Sequence, residues 1–201
     1  MAIQAVRGVP SADTSMLKIG SYADGTDGFM THREREMLVA LLEFVGAKTV
    51  VVIGVQLGQC ARILLDRVPT IQLYVGVDVL PGYVTPVRAQ QSECPQSRAG
   101  ELVLKDPRFH LITKRNGSYD LLASDLPMCD VMIIDGDHSA AGVSHDTQLA
   151  ASVVRSGGLI VWHDYWPPFQ NGVVEVLNAL WERGCPIRHI EDTWLAMEWV
   201  R

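Results

Sequence analysis

Five short apolar runs constrain the fold of this 201-residue chain more than any other feature. They are KTVVVIG (48–54), IQLYVGVDV (71–79), RFHLIT (108–113), DVMIIDGD (130–137) and LIVWHD (159–164). The first carries four consecutive β-branched residues, Val50 to Ile53, and so has no polar face. Such a run suits a strand buried on both faces, as in a parallel sheet covered by helices. Helical patterns fall between the runs, over Gln59–Arg67, over 82–105 as one helix with a loop, over 119–125 behind Ser118, and over Ala140–Arg155. Gly157-Gly158 is expected to stop the last of these, and a further helix is expected over Val173–Arg183. Regular alternation of strand and helix predicts a doubly wound α/β sheet. Residues 186–200 instead alternate apolar and polar about Glu191-Asp192, a hairpin pattern. The expectation is a mostly parallel seven-stranded sheet ending in an antiparallel pair.

Residues 1–30 read as an irregular segment, because SYADGTDGF (21–29) is rich in turn formers. The domain proper is expected over 31–201. Thr31 followed by Glu34 is a capping box, and the helix it starts should run from His32 to Val45 and stop at Gly46. The net charge is −6 without a basic cluster, which argues against nucleic acid as a partner. No run reaches the roughly 20 apolar residues of a membrane span, and the start of the chain lacks the apolar stretch of a secretory signal. Cys60, Cys94, Cys129 and Cys185 are widely spaced, with no CxxC pair, and read as small buried residues of a reduced, cytoplasmic protein. The oligomeric state stays open.

In a doubly wound sheet, ligands bind beyond the carboxyl ends of the strands. The polar residues Gly54, Asp78, Asp135, Asp137, His138, His163 and Asp164 all fall at such ends. The turn Gly54-Val55-Gln56-Leu57-Gly58 leads from strand to helix, where free amides and the helix dipole favour a phosphate or a carboxylate. A dinucleotide fingerprint would need a second glycine two residues after Gly54, where Gln56 stands. Asp78 ends the next strand and is placed to accept hydrogen bonds from ribose hydroxyls. Asp135 and Asp164 end neighbouring strands about 4.8 Å apart, within reach of one small cation. His138 has the right ordinary pKa, about 6.5, for a general base. It also suits a loop-fixing hydrogen bond, with Asp137 as its orienting partner. His32, His110, His145 and His189 form no constellation. Trp162, Trp166 and Trp181 read as core, although Trp166-Pro167-Pro168-Phe169 is also placed to wall an acceptor pocket.

The strand–GxxxG–helix turn and the segment IDGDHS (134–139), Gly142-Val143, Asp146, GGLIV (157–161) and His163-Asp164-Tyr165 carry a resemblance. The chain resembles class I S-adenosylmethionine (SAM)-dependent methyltransferases. Within them it is similar to the small O-methyltransferases that include macrocin and rhamnosyl O-methyltransferases and relatives of cephalosporin hydroxylase. The resemblance covers roughly 48–165 and implies a Rossmann-like fold. It implies that Gly54, Val55, Gly58, Asp78, Gly117, Ser118, Asp135 and Asp137 contact SAM, with Ser118 either at the adenine or simply capping a helix. It further implies His138 as the base that takes the proton from the acceptor hydroxyl. Asp135, His163 and Asp164 are the implied ligands of Mg²⁺ or another divalent cation, with His163 standing where related metal users carry an acid. Two departures are Val52, where the family usually has an acid, and Ala140-Ala141, where it has Tyr-Glu.

The leading expectation is therefore SAM-dependent methylation of a hydroxyl on a small-molecule acceptor. A non-catalytic SAM- or nucleotide-binding module on the same fold is the alternative, and an NAD-dependent oxidoreductase would need the missing glycine.

Overall fold

The computed structural model describes residues 10–15, 17, 30–85, 98–168 and 171–201. Its strands are β1 (Thr49–Ile53), β2 (Leu73–Val79), β3 (Phe109–Lys114), β4 (Cys129–Ile134), β5 (Val154–Trp162), β6 (Arg188–His189) and β7 (Ala196–Trp199). Its α-helices are α1 (His32–Val45), α2 (Gln59–Arg67), α3 (Ala140–Val153) and α4 (Gly172–Glu182). One sheet runs in the order β3-β2-β1-β4-β5-β7-β6. β1 to β5 are parallel, and β7 pairs antiparallel with both β5 and β6. The strand order reverses between β1 and β4, which opens a crevice at their carboxyl ends.

The period of two along the strands divides the core. Val50, Val52, Val131, Ile133, Leu159 and Val161 face one layer with Met37, Leu38, Leu41 and Leu42 of α1 and Leu64 of α2. Val51, Ile53, Met132, Ile134, Ile160 and Trp162 face the other, with Val143, Leu149 and Val153 of α3 and Leu177 of α4. Both faces are dry, which is why the sequence runs are apolar without alternation. α1 begins as expected: Thr31 N donates to Glu34 Oε2 at 2.7 Å and Glu34 N to Thr31 Oγ1 at 3.3 Å. Gly46 ends it in the left-handed region at φ 63°.

Several expectations need correction. Gly157-Gly158 does not stop a helix. α3 ends at Val153 and β5 starts at once, running through both glycines. The pairing with β4 is irregular there, between Cys129 and Val131, and a Cβ on Gly158 would lie 2.6 Å from the Asp130 carbonyl. These glycines therefore allow a bulge and a close approach between strands. Ser118 does not cap a helix over 119–125. It lies inside a 3₁₀ turn, Gly117–Asp120, followed by a second, Ala123–Asp125. Of the helix expected over 82–105, residues 86–97 lie outside the described residues, and 98–105 form turns. There Gly100 N and Leu102 N donate to Gln56 O and Leu57 O, at 2.7 and 3.0 Å. Trp162 is fully buried and Trp181 packs on the second core layer, but Trp166 is 39% exposed and is not a core residue.

Asp130 ties three strands together. Its Oδ2 accepts from Lys48 N at 2.6 Å and Thr49 N at 2.8 Å, and its Oδ1 pairs with Arg155 Nε. Burial alone would raise its pKa, but Arg155 and the two amides win and hold the carboxyl below its ordinary value. Asp130→Ala leaves two amides unpaired and should cost about 1–3 kcal/mol by urea denaturation at neutral pH. Because the folded pKa is depressed, this contribution is complete above the unfolded value of about 3.9 and is lost as pH falls through the folded one. The difference between wild type and variant should therefore shrink in acid.

Candidate active site

The tips of β1, β2, β4 and β5 open into one cavity of about 260 Å³. Gly54 makes its floor possible. Its φ is 86°, and a Cβ there would lie 1.8 Å from the Asp135 carbonyl oxygen, so no side chain fits between the tips of β1 and β4. Asp78 then shapes the turn that follows. Its Oδ2 accepts from Val55 N at 2.9 Å and Gln56 N at 2.7 Å, and its Oδ1 from Val79 N at 2.7 Å. Burial pushes the Asp78 carboxyl up despite these three amides. The carboxylate thus braces the glycine turn and still lines the cavity.

Of the residues expected at a cofactor, Gly54, Val55, Asp78, Gly117, Ser118, Asp135 and Asp137 line this cavity together. Gly58 does not. A Cβ there would meet Val103 Cγ2 at 2.9 Å and Gly100 Cα at 3.1 Å, so its missing side chain admits neighbouring backbone. Val52 is 4% exposed and packs in the first core layer, so the position of the family acid is filled by apolar packing. Cys60 also lines the cavity, but burial, followed by the Asp135 carboxylate, pushes its thiol up to about 12, and it is no nucleophile.

The opposite wall is a cluster of acids and imidazoles. His163 is 3% exposed. Its Nδ1 lies 3.0 Å from Asp164 Oδ2 and 3.1 Å from Asp135 Oδ1, and its Nε2 lies 3.4 Å from Glu34 Oε2. Burial works against its charge, yet the carboxylates led by Asp135 raise its pKa well above the ordinary value. In return, His163 and His138 hold Asp135 well below the carboxylate range against its own burial. His138 Nε2 lies 3.0 Å from Asp164 Oδ2 and 3.8 Å from Asp135 Oδ1. Asp164 adopts φ 60°, a left-handed conformation that is uncommon for a side-chain-bearing residue. Asn171 Nδ2 fixes it by donating to its carbonyl at 3.0 Å.

This geometry corrects two assignments. Asp137 does not orient His138. Its oxygens accept from Ser139 N at 2.9 Å, Ser139 Oγ at 2.8 Å and Tyr119 OH at 3.1 Å, which fixes the start of α3. Asp164 meets His138 instead. His163 is drawn instead toward Glu34, Asp135 and Asp164 together, with Nδ1 at 3.0 and 3.1 Å from Asp164 and Asp135 and Nε2 at 3.4 Å from Glu34. The ligand atoms that come within 4.8 Å of one another belong to Asp135, His138 and Asp164.

Glu34 is the functional residue that sequence reasoning missed. It reads as a helix cap, and it is one, but it also accepts from Trp194 N at 2.7 Å and faces His163. Burial opposes its ionisation, but His163, then the Thr31 and Trp194 amides, lower its pKa to about 2. Its partners lie far away in sequence, and only an unpaired acid inside an otherwise apolar helix face hints at them. Glu34→Ala removes the side-chain half of the capping box and takes a carboxylate from beside buried His163. It should lower stability by about 3 kcal/mol or more in chemical denaturation, well beyond the ~1 kcal/mol of a lost cap. Asp146, fully buried beside Ser118 and His145, behaves oppositely: burial pushes its carboxyl up to about 6. A raised acid is most favourable protonated, so the folded state loses stability as pH rises from the unfolded value of about 3.9 up to the folded value and levels off beyond it. Asp146→Asn should flatten the stability profile between about pH 4 and 7 and gain up to about 3 kcal/mol over wild type at neutral pH. A profile unchanged by the substitution would refute this.

Among curated proteins, none matches the chain. Among solved structures, the chain is similar to the O-methyltransferase TomG from Streptomyces achromogenes, involved in tomaymycin synthesis and in complex with SAM. That match has 12% identity and a TM-score of 0.58, covering 85% of this chain and 81% of that one. It is similar to the Podospora anserina methyltransferase PaMTH1, bound to SAH, at 13% identity and TM-score 0.57, over 85% and 80%. It is also similar to precorrin-6y C5,15-methyltransferase from Geobacter metallireducens GS-15, at 12% identity and TM-score 0.58, over 96% and 100%. Identities this low establish the shared fold, that of Rossmann-like methyltransferases. The family model described as a methyltransferase domain matches residues 51–165, more than half of the chain. That match runs from within β1 to just past the end of β5, and the chain belongs to the methyltransferase domain family.

Proposed function

We propose that this chain transfers the methyl group of SAM to a hydroxyl oxygen of a small molecule. The observation that carries the reading is a single cavity with a nucleoside-like wall on one side and a proton-accepting wall on the other. Asp78 suits the ribose hydroxyls, and the Gly117–Ser118 turn borders the same space. The amides of the Gly54 turn suit the methionine end. Across the cavity, His138 stands against Asp164. The acceptor oxygen attacks the methyl carbon, the carbon–sulfur bond breaks, and its electron pair stays on sulfur to give S-adenosylhomocysteine (SAH). The acceptor proton goes to His138, and the Asp164 carboxylate offsets the resulting charge. Alignment of the reactants is worth roughly 7–11 kcal/mol in such bimolecular steps. The fold leaves the acceptor atom open, since the similar structures include a C-methyltransferase. Oxygen is favoured here by the base and its carboxylate.

By donor type, Asp135, Asp164 and His138 fit a divalent cation, with the imidazole favouring metals softer than Mg²⁺. A cation held there would lower the pKa of an acceptor hydroxyl. Nε2 of His138 cannot at once bind a metal and take a proton, so the two roles exclude each other at that atom. Among the described residues, Cys60, Cys129 and Cys185 are free thiols, which supports a cytoplasmic location, and no helix is long and apolar enough to cross a membrane.

The test begins with calorimetry of SAM and SAH, where saturable binding is expected. Turnover should then appear with an acceptor from a panel of hydroxyl compounds. His138→Ala should reduce it by about 10²–10⁴-fold while keeping SAH affinity. Turnover insensitive to this change sinks the base assignment, and failure to bind SAM at millimolar concentration sinks the whole reading. Binding without product from any acceptor points to a SAM-binding module without catalysis. Loss of turnover on chelation, restored by one metal, supports the cation.

A further inference from the structure

Trp194 lines the cavity and Trp166 stacks against it, and their exposure is not what core packing requires. Trp194 is 41% exposed and Trp166 39%, whereas Trp162 on the adjoining strand is fully buried. Their rings stack with centroids 5.7 Å apart and planes at 27°. Trp194 lines the same cavity as His138, Asp135 and Asp164. Main-chain bonds, not the indoles, hold the pair in place: Trp194 N donates to Glu34 Oε1 at 2.7 Å, Tyr165 N to Trp194 O at 2.9 Å, and Trp166 N to Asp164 O at 2.9 Å. The platform is therefore fixed to Glu34 and Asp164, two members of the proton-accepting cluster. Trp194 is thus partly exposed at the cavity, with Trp166 against it.

Resting on the methyl-transfer reading, we infer that the acceptor is a neutral phenol whose flat ring stacks on Trp194, backed by Trp166, while its hydroxyl reaches His138. Indole faces prefer offset stacking with another aromatic ring. The floor below them carries Glu34, Asp135 and Asp164 against His163, which disfavours an anionic acceptor. A sugar ring would offer the indole only its C–H faces.

The experiment uses the full chain saturated with SAH and measures binding of catechol and 2,3-dihydroxynaphthalene beside methyl β-D-glucopyranoside by calorimetry. Both phenols should bind, the naphthalene more tightly, and the glycoside at least about tenfold more weakly. Trp194→Ala should weaken the phenols by about tenfold, and Trp194→Phe should restore them to within about threefold of wild type, with SAH affinity unchanged throughout. Trp166→Ala serves as a second variant, with a loss in the same direction, should Trp194→Ala fold poorly. SAH binding with no phenol binding, glycoside binding as tight as phenol binding, or phenol affinity unmoved by either tryptophan change overturns the inference alone. Failure of the wild type to bind SAH overturns the methyl-transfer reading beneath it.

Discussion

The enclosure of the buried His163 imidazole by carboxylates is the interaction on which the rest of this molecule depends. A polar ring removed from water needs partners, and those of His163 come from three places in the chain. Glu34 brings α1, Asp135 the end of β4, and Asp164 the end of β5. Through its other oxygen Glu34 also holds the Trp194 amide, so the connection into β7 is tied to the same point. Asp135, His163 and Asp164 of this knot line the cavity. The same atoms thus join the elements and form its wall.

The second organising constraint is steric. The tips of β1 and β4 approach so closely that only glycine is accommodated at 54. That approach sets Asp135 beside the turn that Asp78 braces. Asp78 gives acceptor capacity to three amides of its own chain and still lines the cavity. A group that shapes a turn in this way fixes the cavity wall within the fold itself.

Features with a local cause were the most legible in the sequence. The extent of α1 follows from the Thr31–Glu34 box and from Gly46, and the bounds of α2 were equally readable. The sheet followed from runs with no polar face, because burial on both sides leaves few other architectures. Gly157-Gly158 misled because glycine looks alike whether it ends a helix or admits a neighbouring strand. Only the register with β4 distinguishes the two. Ser118 misled similarly, since a cap and a buried 3₁₀ residue share one composition. At the site, residue types at strand ends located the cluster, but pairings did not follow from spacing. His163 sits beside Asp164 in sequence and looks like a ligand. Its enclosure by Glu34, over a hundred positions away, ties it to α1 instead. Likewise nothing local announces that Trp166 and Trp194 meet.

One consequence concerns the outer rim of the sheet at β6. This strand is only two residues long, and a piece of chain from before the first helix lies against it. Ala12 N donates to His189 O at 2.6 Å, His189 N donates to Pro10 O at 2.8 Å, and Ser11 bridges to His189 in parallel. These bonds occupy the amide and carbonyl that a foreign strand would need in order to dock there. The opening stretch of the polypeptide thereby acts as a guard against self-templating: clipped away, it would turn a sealed border into an adhesive one.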